Sequence, residues 1–190
     1  MTRPELQYWI LFSMAVAGKG AKVTEEKMIL FLHNLPNPGI SGSQDGAIVH
    51  LRKEGTPFER VQYLISQGKL LYQMRKIKLG KYTLLNKGFR AALSLDLDNL
   101  DVEKLDAIPG IGPKSARMIM MYGFPDQKEY AVLDTHLLKW LKAHGHDVPA
   151  ATPDGKVYER LEKIVLTEAK TRNMTARQFD TMVWQTYAKI

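Results

Sequence analysis

In ten segments between residue 4 and residue 189 the apolar side chains return at every third or fourth position, and no stretch alternates apolar with polar convincingly enough to make a strand. That period is the period of a helical turn. It predicts helices over 4–17, 23–34, 45–54, 57–74, 82–94, 101–107, 113–122, 134–144, 153–171 and 175–189. Between them stand the breakers GKG at 18–20, LPNPGISGS at 35–43, GTP at 55–57 and GFPD at 123–126, each rich in the residues that end helices. The expected fold class is all-α, and 190 residues suffice for one generous domain or two small lobes sharing a core.

Composition narrows the function. The formal net charge is +7, which favours an anionic partner, nucleic acid first and an anionic membrane surface second. The chain has no cysteine, so disulfides, thiolate zinc sites and cysteine-ligated iron–sulfur clusters are excluded. Of the histidines, only His144 and His146 are near neighbours, at a spacing that does not share a helical face. No side-chain metal site is expected.

The run YWILFSMAVAG at 8–18 is apolar and ends in small residues, as a cleaved leader would. Glu5 stands where a leader is basic, and the run is too short to span a bilayer. A buried helix and no membrane partner are expected there, and a cytoplasmic location is the accompanying expectation.

Residues 60–95 hold Arg60, Lys69, Arg75, Lys76, Lys78, Lys81, Lys87 and Arg90 with no acidic residue among them. Such a run is either a solvated helical face or a stripe that tracks a phosphate backbone. A second signal decides in favour of the stripe.

That signal is IPGIGPKSA, residues 108–116. Gly110 and Gly112 bracket Ile111, and both permit close approach to the main chain. Pro113 suits the first position of the next helix, whose unpaired amides and positive dipole end make an anion seat. A plain helix–helix connection would use the same residues, so the hairpin alone is not diagnostic.

IPGIGPKSA resembles the helix-hairpin-helix motif of the DNA glycosylase superfamily that includes endonuclease III and the 8-oxoguanine glycosylases. That family carries a catalytic lysine directly after the hairpin, where Lys114 stands, and an aspartate about twenty residues on. In AVLDTHLLKWL this chain places Asp134 there, followed by Thr135 and His136. LGKYTLLNKGFRAAL at 79–93 and ELQYWILFSMAVAG near the start look like further family segments, and MTARQFDTMVWQTYAKI is similar to the last helix of the small, cluster-free archaeal-type members.

The resemblance implies two helical lobes with a DNA-binding cleft between them. Lobe A would run over about 19–121, and lobe B would combine residues 1–18 with 122–190. Lys114 and Asp134 would then face each other across the cleft from opposite lobes. DNA would be gripped at Gly110, Gly112 and His136, with Lys81 and Lys87 from the stripe. The wedge that fills the space of the flipped base is expected from the loops near 18–22 or 76–83, with Tyr82 one candidate. The family's hairpin also binds a monovalent cation, here through the main-chain carbonyls of Asp106, Ile108 and Ile111. No other cofactor is implied, and members of this type act as monomers on damaged duplex DNA.

The chemistry such residues support is base excision. The target nucleotide must leave the stack before C1′ can be reached. A neutral lysine amine can then displace the base, and positive potential around it, from the helix N-terminus and Arg117, helps keep it neutral. A carboxylate at Asp134 either caps the following helix or stabilises the cationic sugar, and one oxygen could do each. The expected activity is glycosylase followed by β-elimination, on 8-oxoguanine. Asp180 and Trp184, four apart on one helix, could read and stack on the flipped purine, although an aromatic at that spacing also packs cores. Thr135 departs from the archaeal type, which usually has arginine there, and the extension that shapes that type's base pocket is shorter here. Oxidised pyrimidines on the same scaffold, or a helix-hairpin-helix module that only binds DNA, are the alternatives.

Overall fold

The computed structural model describes residues 1–33, 55–125 and 127–187, and among them the only regular structure is helical. The helices are α1 (Arg3–Val16), α2 (Ala21–His33), α3 (Pro57–Ser66), α4 (Leu70–Lys76), α5 (Tyr82–Ala92), α6 (Val102–Asp106), α7 (Pro113–Gly123), α8 (Thr135–Ala143), α9 (Gly155–Thr171) and α10 (Ala176–Tyr187). The all-α expectation holds. The helix expected over 45–54 and the breaker over 35–43 lie outside the described residues.

Local sequence explains the boundaries. Thr2 and Glu5 form a reciprocal capping box at the start of α1, and Thr56 and Glu59 form another at α3, with Pro4 at the second helical position of α1 and Pro57 at the first of α3. The single helix expected over 57–74 is two helices. Gly68 takes φ +65°, its N–H donates to the Ile65 carbonyl at 3.0 Å, and the Lys69 N–H donates to the Leu64 carbonyl at 2.8 Å. This is a Schellman termination, which the apolar spacing runs straight through. Helix α4 ends in the same pattern, with Lys78 instead of glycine in the left-handed region at φ +54°.

The chain divides into two compact units. One holds the described residues up to Leu100 together with Ala107–Ile111. The other holds Asp101–Asp106 and the described residues from Gly112 onward. The expected division differs, for a packing reason. Helix α1, buried almost continuously from Leu6 to Ala15, lies against α2, α3 and α5, so residues 1–18 belong with the first unit. The apolar run at 8–18 is thus a core helix of that unit.

In the first unit Ile10, Leu11, Met14, Phe31 and Phe89 are fully enclosed, and the Phe31 and Phe89 rings meet edge to face at 5.6 Å. The second unit has its own core of Leu133, Leu137, Leu141, Tyr158, Leu161 and Phe179. Fully burying a side chain of this size contributes about 1.5–3 kcal/mol.

Candidate active site

The hairpin is built as the sequence suggested, with one difference. Gly110 has φ +96°, a conformation that requires glycine. Gly112 has φ −112° and ψ 177°, open to any residue, and a Cβ there would meet nothing within 4 Å. Gly112 therefore contributes open space at the N-cap of α7, while Gly110 makes the turn. Pro113 occupies the first position of α7, and no side chain caps this end.

Lys114 follows in the first turn of α7. It is half-buried and makes no hydrogen bond or ion pair with a described residue. Asp134 is the N-cap of α8. Its Oδ1 accepts the amides of His136 and Leu137, each at 2.9 Å, while Oδ2 accepts no hydrogen bond from a described residue. The capping role and an available carboxylate oxygen coexist, as one oxygen does both capping bonds. Lys114 and Asp134 belong to the same compact unit and do not come from opposite ones. The reason is the contact of α7 with α6 and the pairing of α7 with α9, described below, which keep α7 with the C-terminal helices.

Asp180 on α10 completes a charged group. Burial pushes its carboxyl up to about 6, the negative charge of Asp134 adds to that rise, and Lys114 opposes it. Asp134 and Lys114 thus both act on Asp180, whose carboxyl holds its proton more tightly than a free one. Tyr122, two turns beyond Lys114 on α7, lies in the same field. Burial and then Asp180 push its hydroxyl up, Arg177 opposes them, and Asp134 adds a smaller rise. The Arg177 guanidinium sits 4.7 Å from the centre of the Tyr122 ring. Tyr122 and Arg177 were not singled out from the sequence. MMYGF reads as core, and Arg177 signals nothing until α10 is placed.

Trp184, one turn from Asp180, is 54% exposed. Core packing does not explain it. The His136 ring meets it edge-on at 6.1 Å. His136 Nδ1 is buried with no hydrogen-bond partner among the described residues, so a phosphate contact would have to use Nε2. Arg117 does not serve as a bare cation beside Lys114. Its Nε lies 2.9 Å from Glu162 Oε2, and both side chains are only 12% exposed.

Lys81 and Lys87 belong to the first unit. Lys87 is exposed on α5. Lys81, at φ +45°, donates from Nζ to the Ala17 carbonyl at 2.6 Å. Two lysines outside the basic stretch join it: Lys27 Nζ donates to the Lys78 carbonyl at 2.9 Å, and Lys19 Nζ to the Leu79 carbonyl. Burial, then Lys81 and Lys27, lower the affinity of Lys19 for its proton. Tyr82 stands at the first position of α5, with the Arg75 guanidinium 6.0 Å from its ring centre. Among the described residues no three acidic or histidine side chains gather as a metal site, and no helix is long and apolar enough to cross a membrane.

No family model matches the chain. Its fold matches the crystal structure of Tm1821, the 8-oxoguanine DNA glycosylase of Thermotoga maritima, with a TM-score of 0.62 and 18% sequence identity, over 96% of this chain and 79% of that one. At that identity the likeness establishes the fold, and it is the all-helical glycosylase fold that IPGIGPKSA and LDTH led us to expect.

Proposed function

We propose that this protein is a DNA glycosylase that removes 8-oxoguanine from duplex DNA through Lys114 and then cleaves the strand by β-elimination. The observation that carries the reading is the placement, in one unit, of Lys114 on an uncapped helix start and Asp134 on a helix N-cap, both acting on the carboxyl of Asp180. A glycosylase fold gives that placement its context.

The neutral amine of Lys114 attacks C1′, and the C1′–N9 bond breaks with its electron pair leaving on the base, which takes up a proton. Loss of one proton from nitrogen and cleavage of the C1′–O4′ bond, with O4′ taking up a proton, open the sugar ring and give a protonated Schiff base between Nζ and C1′. Loss of a C2′ proton then expels the 3′ phosphate. Asp134 Oδ2 is available to stabilise the positive sugar while Oδ1 holds α8. Exposed Trp184 offers a face for the flipped base, and the Asp180 carboxyl, holding its proton up to about pH 6, can either donate to or accept from the base edge.

Gly110, Gly112 and His136 would grip the backbone, with Lys81 and Lys87 as further phosphate contacts. A monovalent cation held by the carbonyls of Asp106, Ile108 and Ile111 would add positive charge beside a phosphate. The Ile108 carbonyl already accepts the Ile111 amide at 3.0 Å, which leaves it a lone pair for such an ion. The protein would act as a monomer on damaged duplex DNA in the cytoplasm.

Borohydride trapping on duplexes bearing 8-oxoguanine, an oxidised pyrimidine or an abasic site tests this, beside Lys114→Gln. An adduct on 8-oxoguanine that disappears in the variant supports the whole reading. An adduct on the oxidised pyrimidine instead keeps the reaction and changes the base. Tight binding without an adduct on any duplex leaves a DNA-binding module.

A further inference from the structure

We infer that Glu162, Tyr158 and Arg117 are positioning residues for the reaction assigned above, on which the inference rests: together they fix the Asp134-bearing segment to the Lys114-bearing helix. Residues 128–134 form no helix, so their peptide groups need partners from elsewhere. Helix α9 supplies them from two side chains one turn apart. Glu162 Oε1 accepts the Ala131 N–H at 3.0 Å, and the Tyr158 hydroxyl donates to the Ala131 carbonyl at 2.9 Å. The same hydroxyl accepts the Leu133 N–H at 2.9 Å, one residue before Asp134.

The second half of the device reaches α7. Glu162 Oε2 accepts the Nε–H of Arg117 at 2.9 Å, and the Arg117 guanidinium stacks 4.0 Å from the centre of the Tyr158 ring. Arg117 lies one turn beyond Lys114, and its Nη1 donates back to the Pro113 carbonyl at 3.4 Å, a long bond. One carboxylate therefore ties a peptide group near Asp134 to a side chain near Lys114. Both partners of the pair are almost enclosed. A buried pair of this kind adds little stability over apolar packing, whereas its bond directions fix both partners in place. Misplacing a reacting group by about 1 Å can cost about a hundredfold in rate, which gives such a clamp something to do.

The test compares Tyr158→Phe, Glu162→Gln and Arg117→Lys with the wild type by single-turnover excision, borohydride trapping, duplex affinity and thermal melting. Tyr158→Phe keeps the ring under Arg117 and loses only the hydroxyl, so it remains informative if the charge variants fold poorly. The expected result is a fall of about tenfold or more in the excision rate, with duplex affinity within about twofold. The Tyr158→Phe and Glu162→Gln losses should combine to less than their product, because both hold the main chain of the same residue, Ala131, from its two sides. Wild-type excision rates in fully folded variants, whatever the change in melting, would overturn the positioning role alone. Absence of an adduct from the wild type on every duplex would overturn the reaction and the positioning role with it.

Discussion

Gly88 and Pro109 meet backbone to backbone: a Cβ on Gly88 would stand 2.2 Å from the Pro109 carbonyl oxygen and 2.6 Å from Met14 Sδ. Helix α5 can approach the hairpin this closely only because position 88 has no side chain. Gly88→Ala should therefore destabilise the first unit by about 1–3 kcal/mol or more, the cost of overpacking against atoms that cannot move freely. Gly112→Ala is the control, with open space around it and an ordinary φ, and should change stability by no more than about 0.5 kcal/mol. Urea unfolding of the two variants separates them. Equal midpoints would mean that the hairpin does not dock on α5 in solution.

Asp180 makes stability depend on pH in a definite direction. The folded protein holds this proton up to about pH 6, against an ordinary aspartate value of 3.8. Between those values the native state keeps a proton that the unfolded chain has lost, so this group's contribution falls as pH rises and is least favourable above pH 6. Asp180→Asn removes the charge that burial and Asp134 oppose. The variant should be more stable than the wild type at pH 8 by about 1–3 kcal/mol, and the advantage should vanish below about pH 4. Melting temperatures measured across that range check it. A difference that is constant with pH would mean that Asp180 ionises as freely in the folded state as in the unfolded one.

What the sequence disclosed, and what it withheld, follows from the range of the forces concerned. The helices were legible because apolar periodicity is local, and Lys114 and Asp134 because a hairpin and a capping aspartate are short patterns. The break at Gly68 was hidden, since apolar spacing continues through SQGKLL on both sides of it. Arg117 read as a free cation because its partner, Glu162, is 45 residues away. Lys19 and Lys27 lie outside the basic stretch and join it only when the carbonyls of Lys78 and Leu79 turn towards them. The assignment of α1 to the first unit rests on packing that no single segment encodes.

The lysines around residues 78–81 make a prediction about salt. Lys19, Lys27 and Lys81 converge on main-chain carbonyls, and burial, with the ammonium groups of Lys81 and Lys27 adding to it, lowers the affinity of Lys19 for its proton. If each also meets a phosphate, replacing one by methionine should lower the slope of log affinity against log salt by about 0.9. The loss should be the same on damaged and undamaged duplexes, because phosphate contacts carry no base information. Fluorescence anisotropy over a salt series reads this directly. An unchanged slope with a lowered melting temperature would mean that these amines only join the loops.

Trp184 is the residue whose role depends most on its surroundings. It is 54% exposed on α10, one turn from Asp180, with the His136 ring at its edge. An indole so exposed adds little to folding, so Trp184→Ala should shift stability by less than about 1 kcal/mol. Stacking of a base on an aromatic ring is worth about 1–3 kcal/mol. Excision of the flipped base should therefore slow by roughly ten- to a hundredfold, whereas β-elimination at a preformed abasic site, which has no base to stack, should be almost untouched. Single-turnover rates on the two substrates give the answer as a ratio. Equal losses on both would place Trp184 against the DNA backbone, and a large drop in stability would return it to the core.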